Sequence, residues 1–336
     1  MNYVYDICGV GGSIVDQQFK VTPDIIEKSG LELNEMRLAS PQEHSDLLKL
    51  LYEHNCEFIS ACGGSATNTI VAASYFGSKT HQLCSVANDE DGKTFLESLT
   101  NAGVSYETTN HLQETLPTAK CIVLVTPDGK RTMSTCLGIS SCFNPNHLNL
   151  TAVSQSKYVY IEGYMATDNN CTVLSILDEA KLHNSKVVIS LSDPWVASTF
   201  RNTLLQWCDN SVNLIFCNEA EAQAFTDTTS LEEAQEKLKK LTQNYVITCG
   251  EDGAICFDGN LTLKITAPKV IATDTNGAGD IFAGAFLHRI ITGSNFWQAG
   301  KFAAEVASKL VQHFGARLEK EDYLRLENSY SQVINH

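Results

Sequence analysis

The chain has 336 residues, of which 43% are hydrophobic, and its 24 basic and 39 acidic side chains give a formal net charge of −15. This hydrophobic content is sufficient for a large buried core and excludes a chain that is disordered throughout. The acidic balance argues against a surface that binds nucleic acid or anionic membranes, although a few backbone N–H groups still suffice to hold a small phosphorylated ligand.

The first third of the chain alternates predicted strands and helices. A short apolar strand is expected at 4–8, and residues 41–54 have helical spacing with leucines on one face. Residues 69–76 are small and apolar, which indicates a buried helix. A strand is predicted at 82–86 and a further helix at 92–102.

The rhythm changes in the middle of the chain. Residues 121–125 and 131–135 are rich in β-formers and flank the turn sequence Pro127-Asp128-Gly129, so they predict a hairpin. The segments at about 13–62 and 104–136 carry β signals with poor helical periodicity. We expect these two segments to fold together as a small sheet that covers one edge of the core.

From residue 156 onward the alternation is regular. Predicted strands at 158–161, 187–191, 214–217 and 245–249 are separated by helical segments, which implies parallel pairing with right-handed crossovers. A last hairpin at 254–257 and 261–266 precedes helices at 279–292 and 296–314. The sequence therefore predicts one large α/β domain over residues 1–336, with the small sheet attached to it.

Two glycine-containing segments imitate phosphate-binding motifs without the required context. Residues 9–12 (Gly-Val-Gly-Gly) follow a strand, but the dinucleotide pattern G-x-G-x-x-G breaks at Ile14 and residues 15–21 resemble another strand. A Rossmann oxidoreductase is therefore disfavoured. Residues 92–94 (Gly-Lys-Thr) resemble the end of a Walker motif, but the three carboxylates at 89–91 would repel a phosphate and indicate an acidic helix start.

Residues 274–280 (Asp-Thr-Asn-Gly-Ala-Gly-Asp) are the strongest candidate for an anion site. Gly277 and Gly279 omit side chains where a phosphate must approach the backbone, and an apolar helix follows. The N–H groups of Gly277, Ala278 and Gly279 would face an anion at the positive helix end. Asp280 falls in the first turn, where its alternative role is to stabilise its own helix. A cap alone would not need the Gly-Ala-Gly frame, which lowers helix propensity.

These residues resemble the C-terminal signature of the ribokinase/PfkB carbohydrate kinase family. Residues 63–68 (Gly-Gly-Ser-Ala-Thr-Asn) resemble its N-terminal signature, and 218–221 (Asn-Glu-Ala-Glu) resemble its N-x-x-E motif. The three motifs occur in the family's order and cover nearly the whole chain. The resemblance implies a ribokinase-like three-layer α/β fold, with a central mostly parallel sheet flanked by helices and a small β-sheet lid.

Within that family, the sequence is most similar to bacterial members assigned as adenosine kinases. Asn276 stands where many sugar kinases carry Thr. Further similar stretches are 117–120 (Pro-Thr-Ala-Lys), 125–133, 162–164 (Glu-Gly-Tyr) and 192–194 (Ser-Asp-Pro). Cys62 before the double glycine and Ile281 after Asp280 depart from the family pattern, and neither change removes a functional group.

The resemblance assigns roles at the substrate end of the site. Asp280 is implied as the general base, and Gly277, Ala278 and Gly279 as the anion hole for the transferred phosphoryl group. The residues that match ribose-binding positions are Asp16, Gly63, Gly64 and Asn68, and Arg131 is expected to reach the phosphates when the lid closes. The alternatives are a helix cap for Asn68, a turn or strand-edge position for Asp16 and an exposed hairpin side chain for Arg131.

The resemblance also assigns roles at the nucleotide end. Asn218 and Glu221 would orient the hydrated Mg²⁺ that accompanies ATP, and their alternative is a helix N-cap with a first-turn acid. Thr248 and Gly250 are expected to contact the ATP phosphates and ribose. Ala304 and Ala307 would leave space beside the adenine, and their alternative role is helix packing. A monovalent cation, expected to be K⁺, would bind at Asp274, Asn276 and Gly315.

We therefore predict an ATP-dependent kinase that phosphorylates the 5′-hydroxyl of adenosine. The alternatives are a sugar kinase acting on ribose, fructose or a keto-deoxy sugar, and a non-catalytic nucleoside or sugar binder. A nucleobase needs an apolar slot, for which the candidates are Phe19, Leu137, Tyr164 and Met165, although ordinary packing explains such residues equally well. The partners are then ATP and a small molecule, and the protein is expected to be a monomer or a lid-mediated homodimer.

Cysteine usage and hydropathy indicate a cytoplasmic location. The 12 cysteines are scattered without a C-x-x-C pair, which is typical of reduced, mostly buried thiols and does not favour a structural zinc site. Apolar runs such as 121–125 are far shorter than the roughly 18 residues of a membrane span. No basic residue precedes Lys20, and Asp6 interrupts the first apolar segment, so a secretory signal is not predicted.

Overall fold

The computed structural model describes residues 3–33, 35–108, 116–127, 130–143, 148–209 and 212–334; the predicted turn residues Asp128 and Gly129 lie outside these ranges. The strands are β1 (Tyr5–Val10), β2 (Ile14–Lys20), β3 (Met36–Leu38), β4 (Phe58–Cys62), β5 (Thr80–Cys84), β6 (Ser105–Thr108), β7 (Ala119–Val125), β8 (Arg131–Cys136), β9 (Ser156–Glu162), β10 (Lys186–Ser190), β11 (Val212–Asn218), β12 (Asn244–Thr248), β13 (Ala254–Phe257) and β14 (Thr262–Ile265). The helices are α1 (Pro23–Ser29), α2 (Pro41–Glu53), α3 (Ser65–Tyr75), α4 (Glu90–Asn101), α5 (Thr151–Ser154), α6 (Asn170–Leu182), α7 (Pro194–Thr199), α8 (Arg201–Asp209), α9 (Glu219–Thr226), α10 (Leu231–Leu241), α11 (Ala278–Ile291), α12 (Phe296–Leu310) and α13 (Lys320–Ile334).

A large, mostly parallel sheet forms the centre of the protein. Its nine described strands lie in the order β14-β13-β12-β11-β10-β9-β1-β5-β6. The strands from β12 to β6 pair in parallel, whereas β13 and β14 form an antiparallel hairpin at one edge. Strands connected by helices pair in parallel because the crossover returns the chain to the same end of the sheet. The predicted alternation after residue 156 is confirmed.

Helices cover both faces of this sheet and enclose two hydrophobic cores. On one face, α3, α11 and α12 contribute Ile70, Phe286 and Phe302, all almost fully buried. On the other face, α8 and α9 contribute the buried side chains of Trp207 and Phe225. The central strands are apolar on both sides because both faces pack against helices. The result is the three-layer α/β fold that the sequence predicts.

A second sheet of five described strands, in the order β3-β8-β7-β2-β4, forms the lid. Helices α1 and α2 cover one of its faces around Phe19, Leu51 and Ile122, which are fully buried. The predicted hairpin is the antiparallel pair of β7 and β8. The predicted lid boundary at residue 104 is wrong, because β6 pairs with β5 in the large sheet and the second lid segment therefore begins at Ala119.

The two rejected phosphate motifs have the structures that their local chemistry favours. Gly12 is followed by strand β2, so no helix N-terminus stands behind the first glycine run. Asp89 caps α4 by accepting a hydrogen bond from the Gly92 N–H at 2.8 Å, and Glu90 and Asp91 occupy its first turn. This is an acidic helix start, because carboxylates are favoured at the positive end of a helix.

Two properties bear on the environment of the chain. None of the described helices combines the length and the apolar character that crossing a membrane requires. All 12 cysteines fall within the described residues, where they are free thiols and seven of them are buried.

Candidate active site

A cavity of about 490 Å³ lies between the two sheets and is lined by residues of both. Its floor consists of the carboxyl ends of β9 to β12 and the N-termini of α3, α9 and α11. Its roof is the lid face formed by β2, β3 and β8. Ligands of open α/β sheets bind beyond the carboxyl ends of the strands, and helix N-termini there favour anions. The cavity is therefore placed to bind a phosphorylated ligand.

Close packing of α3 against α11 brings the predicted base to its neighbours. A Cβ at Gly284 would lie 2.4 Å from the Thr69 carbonyl oxygen, so the two helices approach this closely only because residue 284 is glycine. One turn earlier on α11, Asp280 Oδ1 accepts a hydrogen bond from Ser65 Oγ at 2.6 Å, and Oδ2 accepts one from Asn68 Nδ2 at 3.0 Å.

Helix α3 begins at Ser65, four residues before the predicted start. Gly64 occupies the N-cap position with φ +93°, a left-handed conformation that favours glycine. The alternative interpretation of Asn68 as a helix cap is therefore wrong, because Asn68 lies inside the helix and is buried. Its amide instead bonds to Asp280 across the cavity floor.

Opposing effects set the ionisation of Asp280. Burial raises the pKa of this carboxyl group, because removal from water disfavours the charged form. The hydrogen bonds from Ser65 and Asn68 and the positive charge of Arg317 act in the other direction. The pKa remains above its ordinary value, so the carboxylate is a stronger proton acceptor than an exposed aspartate.

The loop before α11 only partly matches the predicted anion hole. Gly277 has φ +72°, and a Cβ there would lie 2.6 Å from the Ala316 carbonyl oxygen, so packing against Ala316 is a reason for glycine at this position. The N–H of Ala278 already donates to the Thr275 carbonyl at 3.2 Å, which removes it from the expected donor set. A Cβ at Gly279 would meet no atom within 4 Å, so this residue opens onto the cavity.

Asp16 projects from the lid strand β2 into the cavity beside the double glycine. A Cβ at Gly63 would lie 2.3 Å from Asp16 Oδ2, so only glycine leaves space for this carboxylate. Burial raises the pKa of Asp16 to about 6; the charge of Arg317 lowers it and that of Asp280 raises it further. The structure thus places Asp16, Gly64 and Asn68 on the lining of one cavity, as the sequence predicts.

Asp274 joins three segments at the edge of the anion loop. Its Oδ1 accepts hydrogen bonds from the Asn276 N–H at 3.0 Å and from Arg131 Nη1 at 3.1 Å, and its Oδ2 accepts one from the Gly315 N–H at 3.0 Å. Burial opposes ionisation, but these hydrogen bonds outweigh it and hold the pKa of Asp274 below its ordinary value. Arg131 is therefore not a free hairpin side chain, since it ties the lid to this loop and lies 5.3 Å from the Phe314 ring centroid.

The predicted nucleotide residues separate into two groups. Asn218 and Glu221 line the cavity and form a capping box on α9, in which each side chain accepts the other residue's backbone N–H, at 2.8 and 3.0 Å. Burial raises the pKa of Glu221 to about 7. Thr248 also lines the cavity, whereas Gly250, Ala304 and Ala307 do not: of the two alanines of α12, Ala304 is buried in the core and Ala307 is partly buried against it.

Three of the four candidates for the apolar slot lie on the cavity lining. Leu137, Tyr164 and Met165 line the cavity, but Phe19 is buried in the lid core, where its ring stacks on that of Phe58 at 4.9 Å. Asp16 and Phe19 are three residues apart in one strand, and alternate residues of a strand face opposite sides. The sequence analysis missed the lid residues Met36, Leu38 and Met133, which also line the cavity.

Two charged residues contribute to the site without a predicted role: Glu162 falls in the similar stretch 162–164, and Arg317 falls in none of the motifs. Glu162 accepts hydrogen bonds from the N–H groups of Gly12 at 2.7 Å and Ala66 at 2.8 Å, so it joins the loop after β1 to helix α3. Burial raises the pKa of Glu162 to about 7. Arg317 donates from Nε to Asn68 Oδ1 at 2.8 Å. Neither residue has a spacing from its partners that could be recognised in the sequence, so only the fold shows that it belongs to the site.

Comparisons with known proteins agree with this fold and site. The chain is 26% identical to adenosine kinase 1 of Arabidopsis thaliana, over 94% of this chain and 97% of that protein. Among solved structures it is similar to a probable sugar kinase from Rhizobium etli CFN 42 (26% identity, TM-score 0.87) and to the adenosine kinase from Sinorhizobium meliloti (26% identity, TM-score 0.85). Each of these alignments covers 98% of this chain and 99% of the other.

The family and fold expected from the three motifs are confirmed. The family described as pfkB family carbohydrate kinase matches residues 52–322, from the lid helix α2 to α13. The matched region contains the elements of the cavity floor and the lid strands β4, β7 and β8. Because the match covers most of the chain, this protein belongs to the pfkB family of carbohydrate kinases and is an ATP-dependent kinase that phosphorylates a hydroxyl group.

Proposed function

We propose that this kinase transfers the γ-phosphoryl group of ATP to the 5′-hydroxyl of adenosine. The observation that supports the proposal best is the division of one cavity into a polar floor around Asp280 and an apolar roof from the lid. A nucleoside has a hydroxyl-bearing sugar and a flat, largely apolar base, so it matches both parts. The relatives named adenosine kinase agree with this choice.

Asp280 would act as the general base. A kinase needs an acceptor for the proton of the attacking hydroxyl group, and a buried carboxylate with a raised pKa is suited to this role. Asp16 and Asn68 would hold the ribose hydroxyls, since a carboxylate accepts hydrogen bonds and an amide both donates and accepts them. Both side chains lie on the cavity lining with Asp280.

The transferred phosphoryl group would bind at the start of α11. With Ala278 bonded to Thr275, the available donors are the N–H groups of Gly277, Gly279 and Asp280, because the first helical hydrogen bond runs from Ile281 to Gly277 at 2.9 Å. Arg131 would add its charge only after it leaves Asp274. The anion hole is therefore proposed with Asp280's own N–H in place of that of Ala278.

The nucleotide would bind at Thr248 and extend beyond the cavity toward Gly250, with Ala304 and Ala307 of α12 leaving space for the adenine. Asn218 and Glu221 fit Mg²⁺, because their side chains present oxygen atoms, the ligands that this hard cation prefers, on the cavity wall. Mg²⁺ would neutralise charge on the ATP phosphates when bound. A K⁺ ion beside Asp274, Asn276 and Gly315 belongs to the same proposal.

Competing kinetics with adenosine, ribose and fructose test the substrate. The apolar roof is expected to favour adenosine by stacking and burial worth roughly 1–3 kcal/mol, or about tenfold to 200-fold in kcat/KM. A panel of nucleosides and keto-deoxy sugars, with ATP consumption as the readout, extends the comparison. Ribose or fructose turned over as well as adenosine would leave the sugar kinase alternative and exclude the nucleoside proposal.

The oligomeric state and location complete the proposal. We propose a monomer or a homodimer formed through the lid, whose strand β4 exposes Phe58 and Ile59 (44% and 56% exposed). Light scattering at micromolar concentration distinguishes the two states, and Ile59→Lys is expected to leave only monomers if the lid forms the interface. A cytoplasmic location, predicted from cysteine usage, is part of the same proposal.

A further inference from the structure

Arg317 is a partly buried arginine whose guanidinium group contacts the floor of the cavity through Asn68. It lies in the loop after α12, directly after Ala316, which packs against Gly277. Its Nε donates to Asn68 Oδ1 at 2.8 Å and its Nη1 donates to Ser98 Oγ on α4 at 3.0 Å. Its buried Nη2 has no hydrogen-bond partner among the described residues. Arginine keeps its charge even where part of its guanidinium group is shielded from water, so the charge needs a partner.

The contact with Asn68 determines which end of that amide faces Asp280. An amide has one oxygen and one NH₂ group at its two ends. Because Arg317 Nε binds the oxygen, the NH₂ group is turned toward Asp280, where Nδ2 donates to Oδ2 at 3.0 Å. A flipped amide would place an oxygen against the carboxylate, and the two acceptors would repel each other. Arg317 thus fixes the hydrogen bond that Asp280 receives.

The charge of Arg317 also acts on two carboxylates at once. It lowers the pKa of both Asp16 and Asp280, whereas the charge of Asp280 raises the pKa of Asp16 and of Glu162. The other titratable groups around Arg317 come from four elements: Cys62 of β4, Asp16 of β2, Tyr75 of α3 and Tyr323 of α13. The groups that respond to the charge of Asp280 are Asp16, Tyr160, Glu162, Tyr164 and Glu221. Apart from Arg317, these neighbours are acids or neutral groups.

We propose that Arg317 is a positioning residue for phosphoryl transfer, which orients the Asn68 amide toward Asp280 and offsets the negative charge of Asp16 and Asp280. This inference rests on the proposed role of Asp280 as general base. Removing the arginine is then expected to misplace the hydrogen bond to the base and to favour its protonated form. A purely structural arginine would change stability without changing how the rate depends on pH.

The test compares Arg317→Gln and Arg317→Lys with a control variant, Arg289→Gln. Arg289 is a buried guanidinium, bonded to Glu327 at 2.6 Å and stacked on the Phe302 ring at 4.0 Å, but it does not line the cavity. Melting temperature, kcat, KM and the pH profile of kcat/KM are measured for each variant. The substrate is the nucleoside or sugar that the wild-type enzyme phosphorylates best.

For Arg317→Gln, the acid limb of kcat/KM is expected to move up by about one pH unit, with kcat lowered about tenfold. For Arg317→Lys, which keeps the charge but loses the planar fork, the limb is expected to stay near its wild-type position while kcat falls. Arg289→Gln is expected to lower the melting temperature and leave both quantities unchanged.

A wild-type pH profile and kcat in Arg317→Gln, or an equal shift in Arg289→Gln, would overturn the inference. If Arg317→Gln does not fold, Arg317→Lys decides, since wild-type kcat in that variant also overturns it. Asp280→Asn in the same assay separates the two proposals: if it retains wild-type kcat, the general-base role fails, whatever Arg317 does.

Discussion

The floor and the roof of the cavity are built in different ways. The floor is polar, and its side chains are fixed by hydrogen bonds that connect different elements, such as those from Ser65 and Asn68 to Asp280. Apart from Asp16 and Thr135, the roof is apolar, with side chains such as Met36, Leu38 and Met133 placed by the alternation of two strands. The difference indicates that the floor determines the chemistry, whereas the roof determines which molecule is held against it.

The two parts also differ in how they are stabilised. The floor belongs to the helices of the large core, where α3 and α11 pack at the distance that Gly284 allows. The lid has a small core of its own, and it connects to the body through Val15 of β2, which packs in the large core, and through polar contacts. Two of these are Arg131 with Asp274, at 3.1 Å, and Lys120 Nζ with Asp91 Oδ2, at 2.7 Å. Substitutions of roof side chains are therefore expected to alter substrate specificity and to leave the hydrogen bonds of the floor intact.

The strongest test of the floor is Asp280→Asn. Loss of the general base is expected to lower kcat by about 10² to 10⁴-fold, because the amide cannot accept the hydroxyl proton. The Asn side chain keeps the size of Asp, so circular dichroism and the melting temperature should stay close to wild type. Near-normal kcat in the folded variant would reduce Asp280 to a helix-start acid.

The matching test of the roof is Met133→Ala, with Ile59→Ala as control. Met133 lines the cavity, whereas Ile59 is an exposed residue of the same sheet that does not. Removing part of the slot is expected to lower kcat/KM for adenosine about tenfold, within the range for lost apolar contacts, and to leave that for ribose unchanged. An equal loss for both substrates, or the same loss in Ile59→Ala, would contradict the division between floor and roof.

The sequence predicted those parts of the site that depend on local chemistry. The loop at 274–280 and the capping box of Asn218 and Glu221 were recognisable because a helix N-terminus needs particular residues at fixed positions. No role was predicted for Arg317 or Glu162, because their roles come from contacts with residues 249 and 96 or more positions away in the chain. No local spacing encodes such contacts.

Strand periodicity explains why the candidate Phe19 does not line the cavity. It also shows which features of the lid can be predicted from the sequence alone. Phe19 was one of the candidates for the base slot, although its odd separation from Asp16 puts the two on opposite faces of β2. Applying the same rule to β8 would have placed Arg131, Met133 and Thr135 on one face. The order of the lid strands, which pairs β3 with β8, could not be inferred from periodicity.

A smaller effect, on both stability and binding, is expected for Asp16→Asn. Burial raises the pKa of Asp16 from 3.8 in the unfolded chain to about 6 in the folded protein. Above about pH 6 the folded protein therefore carries a buried charge at Asp16 that lowers its stability, whereas at low pH the carboxyl group is protonated and this cost disappears. Replacing it with neutral Asn is expected to raise the melting temperature by about 2 °C at pH 7.5, with the gain shrinking as the pH falls below about 6. KM for the hydroxyl substrate should rise, because one strong acceptor is lost.

Thermal melts at pH 7.5 and 5, together with steady-state kinetics, check both parts of the Asp16 prediction. Asn68→Ala serves as a comparison, since it removes a ribose contact without removing a buried charge. A melting temperature for Asp16→Asn below that of the wild type at pH 7.5, or an equal gain at both pH values, would contradict the assignment of Asp16 as a buried, costly carboxylate kept for binding.

The smallest expected effect concerns the edge where floor and roof meet. Asp274 holds the anion loop through Asn276, the following loop through Gly315 and the lid through Arg131, so a cation bound there would strengthen the positive field of the loop and brace all three segments. Replacing K⁺ with tetramethylammonium at equal ionic strength is therefore expected to lower kcat/KM severalfold while the melting temperature changes little. Initial rates in the two chloride salts measure the effect, with choline chloride as a second bulky cation. Identical rates in all three salts would remove the monovalent cation from the site and leave Arg131 as the positive partner of Asp274.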